Sequence, residues 1–274
     1  MISLSRTKRC RLFEKIANDT WFHIIRNHRT GTQVNEPGKT NDIIAEIRDN
    51  HLSYPNIGVW AINGFREIVY GSDIDIFVET ESGHFVWWAL QAKVLRLEGN
   101  YDGVSTLRGG EYQWVKLNRL KASAGCEVRY LLYNGVDGFI FNGEDICKRD
   151  FSQEQFGCSL VNTTDMERVA LAKTPVFKDF HPELAQPWRI ITCCLYPRKS
   201  KNTVFYSTSQ IRAALRYYPE MIADNRIFTE QYEEEALNEL PLDAINNFSE
   251  ESGRKPPFRM VIRTTSSLSN LKFN

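Results

Sequence analysis

Apolar side chains recur at helical spacing near the start of the chain. Leu12, Phe13, Ile16, Trp21, Phe22, Ile24 and Ile25 predict a helix over residues 7–28. A turn-rich piece with Gly31, Pro37 and Gly38 follows. Thr40 then reads as the N-cap of a second helix over 41–50, with Ile43, Ile44 and Ile47 on one face. Pro55, Asn56 and Gly58 break the pattern, and 59–63 reads as a short strand. From Asp73 the period changes from helix to strand: residues 73–80 (DIDIFVET) alternate polar and apolar. Glu81-Ser82-Gly83-His84 supplies a turn, and Phe85–Leu95 is a strand too hydrophobic to be exposed. A glycine-bearing loop (Gly99, Gly103, Gly109, Gly110) leads to a helix over 111–124. A buried strand over 127–133 ends at Asn134-Gly135, and residues 138–142 are a candidate extension of the sheet. Beyond residue 145 the pattern weakens. Helices are expected at 165–173, 208–224 and 229–240, and a strand at 189–195. There are no repeats, low-complexity segments or evident linkers. Residues 1–145 therefore read as one α/β core and 146–274 as a mainly helical extension packed on it.

Composition narrows the function classes. Forty-two per cent hydrophobic and 25% charged residues are ordinary for a globular chain, enough for a core without structural metals. Thirty-four basic and 34 acidic side chains give zero formal charge, so any nucleic-acid binding must rest on local patches. Residues 1–40 hold eight Lys or Arg against three acids, and 93–130 hold seven against four. The stretch 230–251 carries eight acids and no Lys or Arg; it reads as a solvated face or, functionally, as an acidic region expected to compete with phosphates for the basic surface. None of the six cysteines forms a CxxC pair, and Cys193 and Cys194 are adjacent, a poor geometry for a zinc knuckle or a simple bridge, so buried, reduced thiols are expected. The basic N-terminus lacks a signal-peptide core, and no run approaches the roughly 20 apolar residues of a membrane helix. The expectation is a cytoplasmic bacterial protein without a membrane partner.

The chemistry is concentrated in the hairpin. Phosphodiester hydrolysis with a hard cation needs oxygen ligands to hold Mg²⁺ or Mn²⁺ against a phosphate oxygen, and a cation near the attacking water. Residues i and i+2 of a strand point to one face, so Asp73 and Asp75 form one such pair and Gln91 and Lys93 another. With the turn centred near Ser82, Asp73 should lie across from Gln91 and Asp75 across from Ala89, with all four polar tips on one side. Ile74, Ile76, Leu90, Ala92 and Val94 should then face the core on the other. Lys93 is the informative residue, because it is a lone charge in an apolar strand, where an unpaired ammonium is costly. The alternative is that it marks a strand end, with its amine reaching water.

Gly71-Ser72-Asp73-Ile74-Asp75-Ile76 followed by Leu90-Gln91-Ala92-Lys93 resembles the PD-(D/E)XK, or restriction-endonuclease-like, nucleases. It is similar to the branch in which glutamine replaces the second acid, giving QxK. The resemblance implies a central mixed sheet flanked by helices and a Mg²⁺- or Mn²⁺-dependent endonuclease. Asp73, Asp75 and Gln91 would be its metal ligands, with Lys93 at the water. It brings in Gln113, on the helix after the QxK strand, and an upstream acid, for which Glu36, Glu46 and Glu67 qualify by position. Phe156–Leu160 and the stretch from Pro187 to Cys194 are further similar to an uncharacterised bacterial family. Relatives of the superfamily often serve in antiviral defence. The departure is Gln91 itself, a neutral ligand that leaves the cage one charge short.

Other constellations are weaker. His181, before Pro182, reads as structural, no Ser or Cys sits in a nucleophile elbow, and Gly109-Gly110 is no phosphate loop. Arg96, Arg108 and Lys116, interleaved with Tyr101, Tyr112 and Trp114, are candidates to steer or stack on nucleic acid. The expected function is metal-dependent cleavage of nucleic acid, DNA before RNA, in bacterial defence, with a protein partner or a second copy of the chain as a further possibility. The alternative is an inactive nucleic-acid-binding or partner-recruited subunit of a defence complex.

Overall fold

A computed structural model describes residues 4–54, 60–63, 70–79, 84–141, 143, 151–193 and 260–262. Seven strands form one mixed sheet: β1 (Trp60–Asn63), β2 (Ile74–Glu79), β3 (Phe85–Val94), β4 (Glu127–Tyr133), β5 (Cys158–Val161), β6 (Gln186–Pro187) and β7 (Met260–Ile262). Their order is β1-β7-β2-β3-β4-β5-β6, with β1 also pairing with β2. The β1–β2 and β2–β3 pairs are antiparallel, as short connections allow, whereas β3 and β4 are parallel. A parallel pair needs a crossover, and α3 (Gln113–Ala124) supplies it, ending on Gly125 in the left-handed conformation that a residue without Cβ adopts freely. Strands from both sides of residue 145 lie in this one sheet.

The other helices are α1 (Leu4–Arg29), α2 (Glu36–Ser53), α4 (Thr163–Ala172) and the single turn α5 (Ile190–Cys193). Ile43 and Ile47 of α2 join Ile74, Ile76, Leu90 and Ala92 in one core. Trp114 and Leu117 of α3 and Met166 of α4 join Ala89, Val128, Tyr130 and Leu132 in a second. The alternation of β2 and β3 thus sends successive side chains to opposite cores, and α1 contributes to both. This is an α/β fold with a central mixed sheet flanked by helices.

Several local expectations are corrected. The second helix starts at Glu36, not at residue 41, because Pro37 falls in the first turn, where its missing N–H is no loss. Thr40 is inside α2 and its hydroxyl meets the Tyr133 hydroxyl at 3.0 Å instead of capping a helix. The described residues of 138–142 form turn and coil. Residues 190–193 form a helical turn where a strand was expected at 189–195. Their apolar character reflects packing on α1, where Trp188 donates its indole N–H to the Phe13 carbonyl and Arg189 pairs with Glu14 at 2.5 Å. The expected helices at 208–224 and 229–240, and the acidic stretch, lie outside the described residues. Cys126 and Cys158 are buried free thiols, and burial pushes Cys158 up to about 12, as expected of inert cysteines. Cys10 is disulfide-bonded, which corrects the expectation that all the thiols are reduced.

Candidate active site

The register of the hairpin places Ile74 opposite Leu90 and Asp75 opposite Ala89, which puts Asp73 across from Gln91 as the turn position requires. The Asp73 N–H donates to the Leu90 carbonyl at 2.8 Å, and the Ala92 N–H donates to Asp73 Oδ2 at 2.8 Å. Gln91 Nε2 donates to the same Oδ2. One carboxylate oxygen of Asp73 is therefore fixed by two donors from β3, and the whole group is held where β2 begins. Asp75 lies one step deeper, 1% exposed. Its charge reaches the Cys126 thiol and adds to the rise that burial causes there.

Lys93 lies two residues beyond Gln91 on the same face and is 4% exposed. Its amine does not reach out to water as a strand-end lysine would. It stands 3.6 Å from Glu36 Oε1 at the first turn of α2, an acid that is itself half-buried. Of the three candidate upstream acids, Glu36 is thus the one brought to Lys93. Glu46 pairs with Lys15 of α1 instead, and Glu67 lies outside the described residues.

Among the described residues, buried polar atoms of Gln91, Gln113 and Tyr130 have no hydrogen-bond partner. Gln91 Oε1 is one, since its amide nitrogen is turned to Asp73. Gln113 Oε1, at the first residue of α3, is another, and the Tyr130 hydroxyl is the third. Gly71 explains how α3 comes close. Its φ is +74°, and a Cβ there would stand 2.9 Å from the Gln113 carbonyl, so only glycine lets the helix start against the entry to β2. Tyr130 sits beside Gln91 in the parallel β3–β4 register. Burial raises its phenol pKa, and the charges of Asp73 and then Glu167 raise it further. Tyr130 was not singled out from the sequence. The apolar run Tyr130–Tyr133 carries no signal of which strand it joins, and only the β3–β4 register assigns it to the Gln91 face.

A hard divalent cation takes oxygen donors, and the chain offers them here: two aspartates and an amide oxygen not otherwise engaged. This donor set suits Mg²⁺ or Mn²⁺. Among the described residues no group of three or more His, Cys, Asp or Glu is gathered as a metal would require.

The residues proposed to steer nucleic acid are placed differently from one another. Arg108 is exposed, and Arg96 is partly exposed, 3.8 Å from Asp102. Lys116 is buried, and its amine donates to the Arg108 carbonyl, so it ties the glycine loop to α3 instead of facing solvent. Tyr101 and Trp114 are buried as well and cannot stack on a strand; Tyr101 donates to Asn134 Oδ1. Tyr112 is half-buried, with its ring stacked on Trp114 at 4.3 Å.

His181 is structural. It is buried, its Nδ1–H donates to the Phe177 carbonyl at 3.0 Å, and its Nε2 accepts from the Ser159 hydroxyl at 2.7 Å. Among the described residues no helix is long and apolar enough to cross a membrane.

The chain belongs to a family of unknown function (DUF6615), whose model matches residues 9–267. No curated protein matches it, and no solved structure does.

Proposed function

We propose that this chain is a metal-dependent nuclease of the PD-(D/E)XK type, hydrolysing phosphodiester bonds of nucleic acid, DNA before RNA. The observation that carries the reading is the setting of Lys93. It is a buried ammonium on the same strand face as Gln91, whose carbonyl oxygen is uncommitted, with Asp73 bonded across the hairpin. The ion pair with Glu36 would account for a structural lysine, but it leaves unexplained the buried, uncommitted amide oxygen of Gln91 two residues away on the same strand face.

Asp73, Asp75 and the Gln91 carbonyl would hold Mg²⁺ or Mn²⁺, with the Asp73 carboxylate already fixed in place by β3. Bound there, the cation would polarise a non-bridging phosphate oxygen and ease deprotonation of a water. Lys93 offsets negative charge that builds on the phosphate and orients the attacking water, while Glu36 keeps its amine from withdrawing. Gln113 offers its free oxygen to that water. The Ala92 N–H fixes Asp73, so the carboxylate does not reorganise when the substrate arrives. Arg96 and Arg108 are the exposed cations nearest in sequence to the QxK strand and would meet the backbone of the strand being cut. A role in bacterial antiviral defence, inside the cytoplasm and with a protein partner or a second copy, agrees with the resemblance from which it is taken.

The test is to incubate the full chain with supercoiled plasmid, linear duplex and RNA, with Mg²⁺, Mn²⁺ or chelator. Metal-dependent cleavage is expected, and Lys93→Ala should slow it at least a hundredfold, roughly what loss of one charge-stabilising donor costs. Lys93→Arg should fail too, because a planar fork does not replace a compact ammonium. A folded Lys93→Ala protein that cuts at the wild-type rate would remove the proposal. Binding without cleavage under every condition would favour an inactive or partner-recruited module.

A further inference from the structure

We infer that the hydroxyl of Tyr130 is a substrate-binding donor of this site, placed to hold a non-bridging oxygen of a phosphate in the nucleic-acid strand. The inference rests on the nuclease reading and extends it to a residue outside the sequence motif.

Four observations carry it. Tyr130 is fully buried, at 0% exposure. Among the described residues its hydroxyl has no hydrogen-bond partner. It stands beside Gln91 in the β3–β4 ladder and shares the second core with Ala89 of β3 and Trp114 of α3. Asp73 is close enough for its charge to act on the phenol. A buried phenol ordinarily finds a partner, because leaving its O–H unbonded costs free energy that the ring alone does not recover. Phenylalanine would pack the same space without that cost. The hydroxyl is therefore unexplained by packing, and what it lacks is an acceptor. A phenol is neutral at physiological pH and donates. The acceptor that a site of two carboxylates, an amide oxygen and an ammonium would bring in is a phosphate oxygen.

The prediction for Tyr130→Phe has two parts that a structural tyrosine would not show together. Without ligand, the variant should be as stable as wild type or melt about 2–4 °C higher, since an unsatisfied group has been removed. Affinity for a short fluorescent single strand, measured by anisotropy in Ca²⁺, should fall about tenfold or more, as loss of a hydrogen bond to a charged group implies. Mn²⁺ affinity by calorimetry should not change. A lower melting temperature would mean that the hydroxyl has a structural partner, and would overturn the inference. Unchanged strand affinity and cleavage rate would overturn it while leaving the nuclease reading intact. A wild-type chain that neither binds nor cuts the strand would overturn both.

Discussion

His181 shows how a single side chain ties fold stability to pH. Its Nδ1–H is used by the Phe177 carbonyl, so Nε2 must be the acceptor for the Ser159 hydroxyl, with the Asn134 amide 3.4 Å away. A second proton would place a positive charge on a ring shut away from water. Burial accordingly lowers the imidazole pKa from 6.5 to about 3. The unfolded chain takes up that proton below about pH 6.5 and the native chain does not until about pH 3. The contribution is thus complete above 6.5 and is lost as pH falls, at up to about 1.4 kcal/mol per unit. Urea titrations at pH 7.5, 6 and 5 should show this slope in the wild type and a flatter one in His181→Gln, which should be less stable at pH 7.5. Equal slopes would show that His181 is not held neutral. At this scale the sequence was most legible where side-chain alternation decides: Asp73 opposite Gln91 follows from the period of the strand and the position of the turn. Glu36 and Tyr130 were not legible in the same way. Glu36 required the true start of α2, and Tyr130 required a parallel register that no local pattern encodes.

At the scale of elements, α1 is docked closely on the chain that carries Gly135 and Gly157, and those two glycines make that possible. A Cβ on Gly157 would stand 1.9 Å from the Ala17 carbonyl oxygen and 2.8 Å from the Trp21 nitrogen. A Cβ on Gly135 would stand 2.3 Å from the Trp21 carbonyl oxygen. These neighbours are helix backbone and cannot swing aside. Gly157→Ala should therefore cost at least about 3 kcal/mol, at the upper end of overpacking. Gly99→Ala is the control, since its φ of +78° opposes a side chain but nothing lies within 4 Å, and its cost should be about 1 kcal/mol. Urea midpoints of the two variants decide the matter, and equal losses would show that α1 is not seated as closely as described. The same contacts explain why the elements after residue 145 were harder to read. Residues 158–161 form a buried strand of four residues, too short to display a period, and 190–193 are apolar because they pack near α1. The hairpin, α3 and β4 were long enough to announce themselves.

For the whole molecule, the relevant link is between the site and global stability. The hairpin bearing Asp73, Asp75 and Gln91 lies in the middle of the sheet, flanked on one side by β7 and β1 and on the other by β4. No cation could be held by these residues once the sheet has separated, so a ligand for the site binds the native state alone and must stabilise the entire fold. At a hundred times its dissociation constant the gain is about 2.7 kcal/mol, which for a chain of this size raises the melting temperature by roughly 5–10 °C. Mn²⁺ should therefore shift the melt of the wild type in a saturable way. Gln91→Glu keeps a ligand oxygen and adds a negative charge, so its shift should be at least as large, with cleavage retained and the preference between Mg²⁺ and Mn²⁺ altered. Gln91→Leu keeps the size and deletes the oxygen, so the shift and the cleavage should diminish together. Leucine also removes one of the two donors to Asp73 Oδ2 and leaves the Ala92 N–H in place, so any residual shift measures the aspartates alone. If Gln91→Leu shows the wild-type shift and cuts at the wild-type rate, Gln91 serves only to brace the hairpin, and the metal must be sought around Asp73 and Asp75.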